Sequence, residues 1–169
     1  MKLRDHRFFF NMIWLIILIT IPLPLIITVD NGLETLSSSS EIMGINFGVF
    51  AYTWMLSAIY LSTQPKWLDR IIGLPNMYII HGVTAVFAVV FMWLHDNMLI
   101  SAGLISLTGD ISLYMFTAIL VYSLVFMAGW LTSRVKFLMT IKKGLEKIFK
   151  HELSMWLHRL NLLATLLIY

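Results

Sequence analysis

The sequence predicts an all-α protein, a polytopic helical bundle that spans a membrane. Three observations carry this. Of 169 residues, 59% are hydrophobic and only 12% are charged, against about a quarter charged in an average soluble domain. The mean hydropathy is +0.84. The apolar residues gather into five segments, each near the ~20 residues a crossing helix needs. The whole chain, 1–169, reads as one transmembrane domain with no room for a second, soluble one.

The first segment runs from Phe8 to Val29. A basic stretch precedes it, as in a signal peptide, but the apolar run is too long and no small-x-small cleavage site follows. It reads as a retained anchor, kinked by Pro22 and Pro24. The second segment runs from Ile45 to Thr63, the third from Tyr78 to His95, the fourth from Ile111 to Leu131, and the fifth begins near Leu153. The stretch Asp30 to Gly44, with its serines Ser37 to Ser40, reads as a solvated connection. Asn97 to Gly109 is apolar enough to lie along the outer surface. The last segment stops at Tyr169 while still apolar, so a continuation is expected to finish it and add a sixth helix.

Charge fixes the expected orientation. Lys2, Arg4 and Arg7 precede the first segment, and Lys66 and Arg70 lie between the second and third. Arg134, Lys136, Lys142, Lys143, Lys147 and Lys150 lie between the fourth and fifth, and Arg159 sits just inside the fifth. These are all 12 basic residues, and a five-pass arrangement puts every one on the same side. The opposite side carries Asp30, Glu34, Glu41, Asp96 and Asp110. The positive-inside rule then places the N-terminus in the cytoplasm of a multi-pass protein of the cell membrane. The net charge of +3 is thereby a topological signal. No segment has the polar, aromatic-studded basic surface that nucleic acid requires. Trp67, Tyr78, Trp130 and Trp156 fall near the inner boundary and Trp93 near the outer, as an interfacial belt does; Trp54 lies deeper. The eleven methionines fill gaps between helices.

Ionisable groups kept inside a lipid-spanning segment usually serve a site. His81 and His95 lie fourteen residues apart in one segment, ~21 Å along the axis at ~1.5 Å per residue and on nearly the same face. Neutral imidazole is a good axial ligand for haem iron. His158, in the fifth segment, falls at the level of His81, so that the two can clamp one iron from facing helices. His95 would need a partner near position 171 or 172. Arg159 can pair with a haem propionate or snorkel at the boundary. His151 lies at the aqueous edge and His6 is terminal. Phe87 and Phe91 lie between the two histidine levels. With no cysteine, disulfides, thiolate zinc sites and iron–sulfur clusters are excluded. Read without a cofactor, the same histidines are polar groups hydrogen-bonded between helices.

The stretch Gly73-Leu74-Pro75-Asn76-Met77-Tyr78-Ile79-Ile80-His81, with His95 beyond it, and Trp156-Leu157-His158-Arg159-Leu160 together resemble the ferric reductase-like transmembrane domain of the ferric reductases and NADPH oxidases. The resemblance implies six helices around two b-type haems, with His81, His95 and His158 as metal ligands of the haem iron. It also implies electron flow from cytosolic NAD(P)H through FAD to an external acceptor, ferric iron or dioxygen. A cytosolic flavoprotein domain or subunit would supply the FAD and NAD(P)H, because this chain carries no motif for either. The second segment lacks the basic residue that the eukaryotic oxidases place near the outer haem. Two other readings stay open. One is a haem-binding membrane subunit serving a separate extracytoplasmic reductase, as in the methionine sulfoxide reductase system. The other is a cofactor-free multi-pass protein, such as a channel or assembly factor.

Overall fold

Proline and glycine punctuate an otherwise continuous run of helix. The computed structural model describes residues 7–33, 38–126 and 151–168. All regular structure among them is helical: α1 (Arg7–Thr20), α2 (Leu23–Leu33), α3 (Ser39–Ser62), α4 (Lys66–Ile72), α5 (Leu74–Met98), α6 (Leu104–Phe126) and α7 (His151–Ile168). The chain forms two compact units, Met1–Ile100 and Ser101–Tyr169. Among the described residues, four helical stretches are long and apolar enough to cross a membrane: Met12–Leu33, Ser39–Ser62, Leu74–Met98 and Leu104–Leu124. Ile16, Ile19, Ile27, Val83, Val90 and Val121 stay exposed around them, as expected of helices apolar on every side that face lipid. α7 is not among the four; its first half carries Glu152, His158 and Arg159.

The first span breaks where its prolines fall, between α1 and α2. Pro22 has no N–H, so the Leu18 carbonyl four residues earlier loses its helical partner. The Trp54 indole of α3 takes that place, donating to the Leu18 carbonyl at 2.9 Å. A helix defect in one span thus becomes a tie to the next. A second tie lies at the far end of α2, where the Asn46 amide donates to the Asp30 carboxylate at 2.8 Å.

α3 starts at Ser39 rather than near Ile45. The serine run is a cap: Ser38 accepts from the Glu41 backbone N–H while the Glu41 carboxylate accepts from Ser38, a capping box. Such reciprocal bonding satisfies two of the donors a helix start leaves open. α3 ends at a turn in which Gln64 has φ 52°, a left-handed conformation usual for the residue after a helix. α5 starts at Leu74, four residues before the expected Tyr78, because Pro75 at its start needs no N–H partner. α6 begins at Leu104, so most of the expected surface stretch Asn97–Gly109 is helix end and helix start, joined through Gly103 at φ 71°.

Small residues set the main packing. α3 buries Gly44, Ala51, Met55 and Ala58, and α5 buries Thr84 and Ala88. With Gly48 on α3 and His81, Phe91 and His95 on α5, both sets step by alternating threes and fours, the heptad pattern of two helices meeting along one seam. At the end where α3 finishes and α5 starts, α4 packs under the first span. Leu68 and Ile72 are fully buried there with Leu18, Leu61, Met77 and Ile80. In the second unit, α6 meets α7 through Ser112, whose hydroxyl donates to the Ala164 carbonyl at 3.0 Å. Both residues are fully buried.

Candidate functional site

Both histidines of α5 turn into the α3 seam. His81 donates from Nδ1 to the Ala58 carbonyl at 2.8 Å, and His95 from Nδ1 to the Gly44 carbonyl at 2.8 Å. The two bonds keep one antiparallel register: fourteen residues separate the histidines on α5 and fourteen separate their acceptors on α3. The spacing is therefore two heptads of a helix–helix seam.

Glycine makes the His95 contact possible. A Cβ on Gly48 would lie 2.7 Å from His95 Nδ1 and 2.8 Å from its Cε1, and one on Gly44 would lie 2.9 Å from the Met98 Cβ. Without side chains at these positions the imidazole reaches the α3 backbone directly. A carbonyl oxygen can only accept, so each Nδ1 carries a proton. Histidine ligands are typically held this way, with one ring N–H given to a carbonyl so that the other nitrogen faces the metal.

Between the two levels runs an aromatic column. Phe91 stacks on Phe47 at 5.4 Å between ring centroids and meets Phe50 at 5.5 Å and Trp54 at 5.3 Å. Trp54 meets Phe87 edge-on at 5.8 Å. Phe87 and Phe91 thus lie between the histidine levels, as the sequence placed them, packed chiefly on Trp54.

The expected partner of His81 stands apart from these facts. α7 includes His158 in its backbone, but the His158 side chain, like those of His151 and Trp156, lies outside the described residues, as do His6, Trp130 and the basic stretch Arg134–Lys150. Arg159 is exposed, beside Leu160, Leu162, Leu163 and Leu166. Among the described residues no three His, Cys, Asp or Glu side chains converge as metal ligands do. Sequence reasoning found the histidines and missed their acceptors, because Gly44 and Ala58 contribute backbone alone. The heptad spacing of Gly44, Gly48, Ala51, Met55 and Ala58 was the available signal. Comparison with protein-family models, curated proteins and solved structures finds no match for this chain.

Proposed function

We propose that the chain is a b-type cytochrome of the cell membrane, related to the ferric reductase and NADPH oxidase transmembrane domain. It would carry electrons from a cytosolic flavin and NAD(P)H donor to an external acceptor such as ferric iron or dioxygen. The observation that carries this reading is the pair His81 and His95, each bonded through Nδ1 to a backbone carbonyl. That bond fixes the orientation of the ring, as it does for histidines that ligate a metal. In this reading His81, His95 and His158 hold haem b, Arg159 neutralises a propionate, and α7 makes a fifth crossing with the N-terminus in the cytoplasm. Haem b supplies one-electron redox chemistry when bound. The flavin and nucleotide come through a further domain or a partner subunit. The oxidoreductase label belongs to that assembly.

The same two hydrogen bonds favour a second reading, in which the histidines only tie α5 to α3 and no cofactor binds. A reduced-minus-oxidised spectrum of membranes carrying the protein separates the two. The cytochrome reading expects b-type bands that disappear when His81→Ala and His158→Ala are combined. Membranes without such bands, or bands unchanged in the double variant, would establish the cofactor-free reading instead.

A further inference from the structure

We propose that α4 is a clamp for the headgroup of an anionic phospholipid, held by Lys66 and Arg70. α4 has two opposed faces. Leu68 and Ile72 are buried to 0% and 1% exposure, which fixes the helix against the bundle. Lys66, Trp67 and Arg70 are left exposed. Lys66 and Arg70 are four residues apart and so share one side of the helix. Neither has an ion-pair partner among the described residues, the neighbouring Asp69 included.

The surroundings set the depth of this basic pair. The Trp67 indole donates to the Tyr60 hydroxyl at 2.9 Å, and the Gln64 amide donates to the Tyr78 hydroxyl at 2.7 Å. Trp67, Tyr60 and Tyr78 are each about half exposed, at 49%, 46% and 57%. Amphipathic aromatic rings sit at headgroup level in a bilayer. Here they flank α4 at the end of two apolar spans. Two unpaired cations held at headgroup depth complement a headgroup of net negative charge and not a zwitterionic one. Buried Leu68 and Ile72 keep the pair from following the headgroup out, so the site is preformed. This inference needs only the bilayer environment and is independent of haem.

Native mass spectrometry of the purified full chain, titrated with phosphatidylglycerol or phosphatidylcholine, reads the preference directly. A basic residue near an anionic leaflet contributes roughly fivefold in binding, so both together contribute about thirtyfold. Lys66→Gln combined with Arg70→Gln should lose that preference. Lys142→Gln combined with Lys143→Gln removes the same charge elsewhere and should keep it. The swap Lys66→Arg with Arg70→Lys should keep it too, which separates lost charge from lost folding. An undiminished preference in the first variant, or an equal loss in the second, overturns the proposal. So does displacement of phosphatidylglycerol by millimolar inorganic phosphate, which would make the site one for a free anion.

Discussion

One hydrogen-sized gap decides how closely α5 lies on α3 at His95. Gly48 leaves space for the imidazole, and a Cβ there would fall 2.7 Å from Nδ1, well inside van der Waals contact. Gly48→Ala must therefore push the ring off the Gly44 carbonyl or spread the helices. Overpacking of this kind costs about 1–3 kcal/mol. Gly82, on α5, has nothing within 4 Å of an added Cβ. Gly82→Ala should accordingly stabilise by about 0.5–1 kcal/mol, the ordinary gain from replacing glycine inside a helix. Reversible unfolding in mixed detergent measures both, and the opposite signs are the test: a neutral Gly48→Ala would mean that His95 is not packed as described. At this scale the sequence revealed chemistry and hid partners. Two histidines in an apolar segment stand out by type and spacing. The groups that hold them, the carbonyls of Ala58 and Gly44, are backbone atoms present at every residue, marked only by the heptad spacing along α3.

At the scale of the element, the Pro22 break and Trp54 form one device. The kink was legible, since a proline inside an apolar run must open the helix. The group that repairs it was not, because Trp54 is thirty-six residues distant from Leu18 and its depth alone names no partner. Trp54→Phe keeps the ring contacts with Phe87 and Phe91 but leaves the Leu18 carbonyl without its donor, at a cost of about 1–3 kcal/mol in an apolar setting. Pro22→Ala returns a backbone N–H to that carbonyl. The two changes should therefore be non-additive: the cost of Trp54→Phe should shrink in the Pro22→Ala background, as contacting groups show in a double-mutant cycle. Strict additivity would mean the indole does not serve that carbonyl. Helix ends show the same division. Hydropathy found the four spans, whereas the starts of α3 and α6 came earlier than hydropathy implied. Ser38 with Glu41 caps α3, and local capping chemistry extends a helix past its apolar stretch.

The whole molecule is ordered by charge as much as by hydropathy. In the proposed five-pass arrangement all 12 Lys and Arg residues would fall on one side, a pattern that the positive-inside rule explains. In that proposed orientation the connection before α3 and the connection between α5 and α6 would face the outside, and the turn before α4 would face the cytoplasm. The protein contains no cysteine, so single cysteines report their side without background. Ser39 and Ser101 are exposed at the first two connections and Gln64 at the third. In intact cells a membrane-impermeant thiol reagent should label Ser39→Cys and Ser101→Cys. Gln64→Cys should react only after permeabilisation. The direction of electron flow in the proposed cytochrome depends on this result, since a donor that docks on the basic side must meet the cytoplasm. Labelling of Gln64→Cys in intact cells, with Ser39→Cys protected, would reverse the protein in the membrane and make the acidic side the one that faces a cytosolic flavin.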